Sequence, residues 1–379
     1  MKRIGLLPRL IIGIVLGIVI GTVVPLPVLR VFATFQALFA QFLSYVVPFI
    51  IIAFIAPGIA ELGKDAGRLL GITTGIAYLS TEIAGIGAYF VGSYLIPNLV
   101  NRGLSIGEEG ASIPLIVEIA IPPLMDVMTA LITAFLLGLG MAAIENKYLY
   151  NIISDFKEII EKVIRNVIIP ILPFYIASVF ASITYAGNIA QTLLSFIKVF
   201  AVVVILHWVY LVLAYLFAGS VTGFSPFKAL KNMMPAYFTA IGTQSSAATI
   251  PITVRQAKLN NISEEVAEFV IPLCATIHLA GSTITLTICS IAVLIISGMP
   301  IEFGAFLTFI FVLGVTMIAA PGVPGGAVMA AIGLLEVYLG FGENAVALMI
   351  ALYLAQDSFG TACNVTGDGA IAMLVNKFK

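Results

Sequence analysis

Charged residues are scarce in this sequence. Asp, Glu, Lys and Arg make up 10% of the 379 residues, against 61% hydrophobic residues, and the mean hydropathy is +1.13. Soluble domains carry about a quarter charged residues, so this composition excludes an ordinary soluble fold. The formal net charge of -1 gives no basic excess for binding nucleic acid. What remains is a polytopic membrane protein.

Cysteine and histidine are also few. The three cysteines are an odd number without Cys-x-x-Cys spacing, so they suggest neither a disulfide framework nor a thiolate metal site. The two histidines, His207 and His278, stand far apart, and no His-Glu-x-x-His or serine-base motif occurs. This disfavours an intramembrane enzyme, and no prosthetic group or nucleotide site is indicated.

Long apolar runs dominate the chain instead. A bilayer core of about 30 Å needs a helix of about 20 residues. Six runs of that length precede residue 225, at 5–25, 31–58, 68–96, 112–144, 158–186 and 192–220. We interpret the first run as a transmembrane helix, since no convincing Ala-x-Ala cleavage site of a signal peptide follows it.

The later part of the chain is less regular. Two apolar segments, 227–258 and 305–340, are broken by small residues. They alternate with two segments, 264–298 and 344–376, that are predicted to be long helices with polar interruptions. Broken segments at matching positions of two halves indicate re-entrant helices around the midplane site of a transporter.

The positions of Lys and Arg test this arrangement, because cytoplasmic loops carry an excess of them. With a cytoplasmic N-terminus, eight spanning helices and two oppositely directed hairpins, 15 of the 18 Lys and Arg residues lie on the cytoplasmic side. Only Arg30 and Arg102 lie outside, and Lys198 falls within a helix. A ten-helix bundle would also place both termini inside, so the hairpin tips must discriminate.

The tips of both broken segments are rich in small residues and proline. The first reads Gly-Thr-Gln-Ser-Ser-Ala-Ala-Thr-Ile-Pro over 242–251, and the second reads Ala-Ala-Pro-Gly-Val-Pro-Gly-Gly-Ala-Val over 319–328. Unwound backbone is tolerated at membrane depth only when it is buried in protein or lines a water-filled cavity. There, freed amides attract a carboxylate and freed carbonyls a cation. A kink between packed helices is the alternative for either tip alone.

Polar residues concentrate near the C-terminus. Asp357, Thr361, Asn364 and Asp368 are spaced i, i+4, i+7 and i+11, which on a helix gives one stripe within about 60° of arc. An ionisable residue at the centre of a membrane helix costs at least about 2.5 to 3.5 kcal/mol, so the stripe is expected to face protein or a water-filled cavity. A polar seam between packed helices is the alternative.

Together the motifs resemble the dicarboxylate/amino-acid:cation symporter family, the glutamate-transporter homologues. Residues 245–251 are similar to the family's first hairpin tip, 275–282 to a diverged Asn-Met-Asp-Gly-Thr helix, 322–326 to its second tip and 364–368 to its last-helix signature. The resemblance implies an all-α polytopic membrane protein with eight transmembrane helices plus two oppositely oriented re-entrant helical hairpins. It further implies an elevator-type homotrimer in the cell membrane, with both termini cytoplasmic.

The resemblance also divides the chain into two kinds of domain. Residues 1–67 and 111–190 would form the scaffold, with helices 1, 2, 4 and 5. Residues 68–110, which hold helix 3, and residues 191–379 would form the mobile transport domain, whose core contains helix 6, both hairpins and the two long helices.

A substrate site follows from the same resemblance. Asp357 would pair with the amino group of the substrate and Asn364 with its carboxylate, helped by Ser246 and neighbouring amides. The chemistry is sensible, because an ammonium needs an acceptor and a carboxylate needs donors. The implied substrate-binding residues are Ser245, Ser246, Ser282, Val323, Gly326, Asp357, Gly360, Thr361 and Asn364.

Sodium ions are the implied coupling ions, and no other cofactor is expected. One site would use the Asp368 carboxylate with the backbone carbonyls of Cys274, His278 and Asn364, since hard oxygen ligands suit a hard cation. A second site would combine Thr276 with carbonyls of the second hairpin.

The third ion site of the family is altered in this sequence, because His278 and Ala280 replace the Asn and Asp of the family pattern. Tyr78, Thr81 and Glu82 align with its other ligands. Three hypotheses stay open. Glu82 restores a sodium site, it pairs with His278 as a proton carrier, or the site is lost. Glu118 and Asp126 match no role in the family.

Two departures bear on the substrate. Relatives that carry acidic substrates have an Arg where this chain has Gly360, and Gln244 stands where some have a hairpin Arg. Without a guanidinium, a second substrate carboxylate would be desolvated and unpaired, which costs several kcal/mol. Ser282 and the space at Gly360 suit a small neutral amino acid.

The sequence therefore predicts a secondary active symporter of a small neutral amino acid, driven by a sodium gradient. Proton coupling, or the same fold carrying a dicarboxylate or acidic amino acid, are the alternatives. A channel would need repeated carbonyls or a charged ring around one axis, and two distinct hairpins argue against it.

Overall fold

The computed structural model describes residues 6–63, 68–100, 113–187, 189–318, 320 and 324–378. Within these ranges the regular secondary structure is helical, and no strand is formed. A π-helical turn, Ile164–Ile168, joins α5 to α6. The helices are α1 (Leu6–Val23), α2 (Leu26–Gly63), α3 (Arg68–Leu99), α4 (Val127–Ala143), α5 (Tyr148–Val163), α6 (Ile169–Tyr185), α7 (Ile189–Thr222), α8 (Pro226–Thr243), α9 (Ser246–Lys258), α10 (Glu264–Ile277), α11 (Ala280–Ile296), α12 (Phe303–Met317), α13 (Gly326–Leu339), α14 (Glu343–Leu354) and α15 (Asp357–Phe378).

The described helices supply the predicted eight spanning segments and two hairpins. Six spans are long and apolar enough to cross a bilayer when the bent pair of α14 and α15 is taken as one: α2, α3, α5 with α6, α7, α10 with α11, and α14 with α15. The shorter apolar helices α1 and α4 bring the number to eight. The remaining helices pair as α8 with α9 and α12 with α13.

The fourth segment differs from the expected helix over 112–144. Residues 113–126 are not helical, because Pro114, Pro122 and Pro123 lack the amide donors that a helix needs. Helix α4 begins only at Val127, after Asp126, whose carboxylate accepts from the Thr129 amide at 2.9 Å. Asp126, which matched no family role, is therefore an N-cap.

Side chains of α2 satisfy the irregular backbone before α4. Arg30 donates to the carbonyls of Pro114 at 2.9 Å and Leu115 at 3.2 Å. The Thr34 hydroxyl accepts from the Ile116 amide at 2.9 Å. These bonds replace the internal bonds of a helix, as backbone polar groups require.

The two long helices predicted at 264–298 and 344–376 are each broken. Helix α10 ends at Ile277 and α11 begins at Ala280, with His278 and Leu279 between them. Helices α14 and α15 meet at an angle of 59°. Each break frees carbonyls of one helix and amides of the next at the same depth.

The two hairpins enter from opposite ends. At the first tip, Gln244 has φ 53° and Ser245 caps α9. The chain that follows α9 is tied to the C-terminal end of α15 by a 3.0 Å bond from the Ser263 amide to Asn376. The second hairpin ends at Gly340, which lies instead beside Met299, at the far end of α11.

Helix packing separates two groups. Helix α1 packs on α6, and α2 packs on α4, α5 and α6. Helices α3 and α7 pack with each other and with α8, α10, α11, α12 and α15, and α9 packs on α8, α10 and α15. The groups meet mainly where α13 and α14 lie against α2, α4 and α6. The division into a scaffold and a transport domain stays a prediction, as does the relative motion of the two groups.

Candidate functional site

The first residue of α15 faces the beginning of α13. Asp357 is 6% exposed, and its Oδ2 accepts a hydrogen bond from the Gly325 amide at 2.8 Å. Gly325 caps α13 with φ 77°, a conformation that favours glycine. The carboxylate thus lies at the positive end of a hairpin helix, where a negative charge is stabilised.

Asn364 lies two turns further along α15, on the same face, and caps α11. Its Oδ1 accepts from the amides of Gly281 at 2.8 Å and Ser282 at 3.3 Å, and its Nδ2 donates to the Ser282 hydroxyl at 3.0 Å. A Cβ on Gly281 would lie 2.6 Å from the Gly360 carbonyl, so glycine is required for this approach. The structure brings Asn364 and Ser282 together, but their side chains are hydrogen-bonded to each other.

Gly360 faces the first turns of α11. A Cβ there would lie 3.5 Å from the Thr285 hydroxyl and 3.6 Å from the Ser282 amide, which are ordinary contacts. The Thr285 hydroxyl donates to the Gly281 carbonyl at 3.0 Å and lies 3.1 Å from His207 Nε2. The neighbourhood of Gly360 is therefore lined by neutral polar groups.

The other predicted substrate-binding residues lie at the two hairpin tips and in α15. The Ser245 hydroxyl accepts from the Ala248 amide at 3.3 Å, so Ser245 caps α9. Ser246 is buried at the start of α9, and Thr361 is buried in α15. Gly326 is the buried first residue of α13. Val323 lies outside the described residues.

A chain of buried and half-buried polar side chains connects α15, the break between α10 and α11, α7 and α3. His278 Nδ1 lies 2.9 Å from Asp368 Oδ1. On the other side of the ring, Nε2 lies 3.0 Å from the Tyr210 hydroxyl and 3.3 Å from the Ser80 hydroxyl. The two hydroxyls are 2.7 Å apart. His278 thus uses both ring nitrogens and partners Asp368.

The C-terminal end of α10 carries the other predicted cation ligands. The Cys274 carbonyl accepts from the His278 amide at 2.9 Å. The Thr276 side chain is exposed and donates to the Leu273 carbonyl at 2.8 Å. Because α10 ends at Ile277, the carbonyls of its last turn have no further turn of this helix to bond.

The residues of the hypothetical third site do not converge on His278. Thr81 donates to the Ala77 carbonyl within α3 at 3.0 Å. The Tyr78 hydroxyl lies 3.5 Å from the Phe311 carbonyl of α12. Glu82 is buried beside Gly314 of α12, and neither of its oxygens has a hydrogen-bond partner among the described residues. The residue of α3 that contacts His278 is Ser80.

Sequence reasoning missed several residues of this site. They are Ser80, His207, Tyr210, Thr285 and Gly325. Ser80 lay within the Tyr-Leu-Ser-Thr-Glu stretch already singled out, and Gly325 within the second tip. The other three stand in apolar helices, where a single hydroxyl or ring gives no pattern to detect.

The paired hairpins, the broken helices and the polar face of α15 agree with one family over the whole described chain. A sequence profile described as the sodium:dicarboxylate symporter family matches residues 6–378. The chain belongs to this family. Its members are membrane symporters with an elevator-type fold, and the eight spans and two hairpins described above are that fold.

Individual relatives match over a shorter region. Human excitatory amino acid transporter 5 is 32% identical over 171 residues, which cover 44% of this chain and 30% of that protein. Excitatory amino acid transporter 1 of Ambystoma tigrinum is 32% identical over 158 residues, 41% of this chain and 29% of that protein. An excitatory amino acid transporter of Caenorhabditis elegans is 30% identical over 152 residues, 40% and 30% respectively. The matched region is thus less than a third of these relatives.

Proposed function

We propose that this protein is a secondary active symporter of a small amino acid with a neutral side chain, coupled to sodium and working by elevator movement. The observation that carries the proposal is the buried Asp357 carboxylate at the second hairpin, with Gly360 one turn further along the same helix. An acceptor fixed at this point suits an ammonium group. The names of the relatives, excitatory amino acid transporters, support amino acids as the substrate class.

The carboxylate of the substrate needs donors near Asp357. Asn364 is bound to α11, so we assign this role first to the start of α9, where Ser246 is buried. The amides of a helix N-terminus favour an anion. Asn364 then acts by holding the first turn of α11 beside the substrate.

The absence of a buried cation supports a neutral side chain. Among the described residues, the buried polar and charged set contains no Lys and no Arg. A second substrate carboxylate would lose its water without gaining a cationic partner, which costs several kcal/mol. The Thr285 hydroxyl, beside Gly360, offers a partner to a serine or threonine side chain.

Sodium fits the end of α10. Thr276 and the last carbonyls of α10 are oxygen ligands at the negative end of a helix, which is the donor set a hard cation prefers. Thr276 would hold the ion together with carbonyls of the second hairpin. Sodium bound there would make substrate affinity depend on the sodium concentration on each side of the membrane. The predicted site at Asp368 suits a sodium ion less well than the end of α10, because the Asp368 carboxylate is bonded to His278.

Assembly and location belong to the same proposal. A homotrimer in the cell membrane with cytoplasmic termini would hold the α1, α2, α4, α5 and α6 group fixed. The other group would then slide along the contact of α13 and α14 with α2, α4 and α6.

Uptake into proteoliposomes tests the function. The panel is labelled serine, threonine, alanine, leucine, methionine and aspartate, with inward sodium and inward proton gradients applied separately. We expect saturable uptake of small neutral amino acids driven by sodium. Uptake of aspartate alone would contradict the neutral substrate, and uptake driven only by protons would contradict sodium coupling.

A further inference from the structure

The Asp368 carboxylate, at which the resemblance predicts a sodium ion, already has a partner. His278 Nδ1 lies 2.9 Å from Asp368 Oδ1, and the two side chains are 0% and 1% exposed. An ionised carboxylate only accepts hydrogen bonds, so the ring nitrogen that faces it carries the hydrogen. An N–H group pointing at this oxygen leaves no position for a cation between the two groups.

The opposite side of the ring is fixed as well. His278 Nε2 is within hydrogen-bond distance of the Tyr210 hydroxyl, at 3.0 Å, and of the Ser80 hydroxyl, at 3.3 Å. Turning the ring away from Asp368 would break a buried bond on one side and part-buried bonds on the other, and unpaired buried polar groups are costly. These bonds hold the imidazole in this space.

The backbone around the ring is shaped to receive it. A Cβ on Gly367 of α15 would lie 2.8 Å from His278 Cε1, closer than real Cβ contacts. Glycine lets the ring approach α15 this closely. The Cys274 carbonyl, another predicted sodium ligand, accepts the His278 amide at 2.9 Å. Two of the four predicted ligands, the Asp368 carboxylate and the Cys274 carbonyl, are thus already bonded to His278.

We propose that the imidazole of His278 replaces the sodium ion at Asp368, so this chain binds no sodium there. Sodium then couples to the substrate only through the Thr276 end of α10. This inference rests on the proposed symport function and reduces the two predicted sodium sites to a single one. The ring supplies the hydrogen-bond donor that holds the Asp368 carboxylate in the core.

The number of sodium ions bound with the substrate tests the inference. The Kd of L-serine is measured by calorimetry on the full chain in lipid nanodiscs at several sodium concentrations, with choline keeping the ionic strength constant. By linkage, the slope of log Kd against log sodium concentration gives the number of ions, and we expect a magnitude of about 1.

Two variants sharpen the measurement. His278→Asn replaces the ring with an amide oxygen and frees Asp368, and we expect the slope to rise to about 2. Ser178→Ala is the control, because it removes a buried polar group of α6 that donates to the Phe174 carbonyl and lies outside the site. Its slope is expected to stay at about 1.

The outcomes separate this inference from the proposed function. A wild-type slope of about 2 that falls in Asp368→Asn overturns the inference. A slope near zero in the wild type that rises in His278→Asn supports it and overturns sodium coupling.

A second measurement needs neither substrate nor a stable His278→Asn protein. The rise in Tm that sodium alone produces is expected to be the same in the wild type and in Asp368→Asn. A rise that disappears in Asp368→Asn overturns the inference. Failure to bind serine at any sodium concentration contradicts only the proposed substrate.

Discussion

The Asp357 carboxylate accepts a hydrogen bond from the Gly325 amide at 2.8 Å, and this bond joins the start of α15 to the cap of α13. Only one oxygen of the carboxylate takes part in it. The second hairpin therefore contributes to the environment of the group that we assign to the substrate's ammonium. Substrate binding and the position of this hairpin are linked through one side chain.

Asp357→Asn is expected to weaken the binding of serine about 10- to 100-fold, because a charge-assisted hydrogen bond contributes about 1.5 to 3 kcal/mol. Asparagine keeps an oxygen for the Gly325 amide, so the hairpin contact can remain. The measurement is the Kd of L-serine compared with that of glycerate, which has a hydroxyl in place of the amino group. Equal losses for both compounds would contradict the assignment of Asp357 to the amino group.

Gly360→Arg is expected to shift the preference of the transporter from serine toward aspartate by at least about 10-fold, because a guanidinium pairs with a carboxylate bidentately. A Cβ at this position makes ordinary contacts with Thr285 and Ser282, so the backbone can stay in place. Competition uptake with both amino acids measures the change. Gly360→Gln is the control, since it adds a long side chain without charge. A gain of aspartate uptake in both variants would show that size, not charge, sets the preference.

Much of the fold could be predicted from residue patterns. The spacing of Asp357, Thr361, Asn364 and Asp368 predicted one helix, and α15 is that helix. The small-residue tips predicted two hairpins. The breaks inside the long helices were harder to predict, because apolar residues flank the break at His278 on both sides and local propensity does not separate the two halves.

Partners across helices could not be predicted from one sequence. One of the three hypotheses paired His278 with Glu82, but His278 pairs with Asp368 and contacts Ser80, two residues before that glutamate. A shift of two positions turns a helical side chain by about 200°, which moves it to another face. Tyr210 of α7 completes this run of hydrogen-bonded polar side chains. Helix α7 is apolar and carries no polar stripe from which the orientation of Tyr210 could be predicted.

Asn364→Ala is expected to lower the Tm without substrate, because the buried amides of Gly281 and Ser282 would lose their acceptor at about 1 to 3 kcal/mol each. Asn364→Asp keeps an acceptor at the N-terminus of α11, where a negative charge is favourable, so its Tm should stay close to the wild type. Thermal unfolding in nanodiscs measures both. If Asn364→Ala unfolds like the wild type but no longer binds serine, Asn364 serves the substrate directly.

Elevator movement requires α13 to slide past α2, and Gly333 marks where they touch. Its missing Cβ would lie 3.0 Å from Val47 Cγ1 and in closer contact with Val127. We expect a disulfide between Val47→Cys and Gly333→Cys to abolish uptake and a reductant to restore it, because the bond joins elements that must separate. The native cysteines are buried, so oxidation should spare them.

A cross-link within the proposed scaffold is the matched control. Gly138 of α4 lies against Ile59 of α2, where its missing Cβ would be 2.7 Å from the Ile59 Cβ. A disulfide between Ile59→Cys and Gly138→Cys joins two helices that move together, so uptake should continue after oxidation. Full uptake by the cross-linked Val47→Cys, Gly333→Cys protein would refute the division into these domains, because α13 would then transport substrate while fixed to α2.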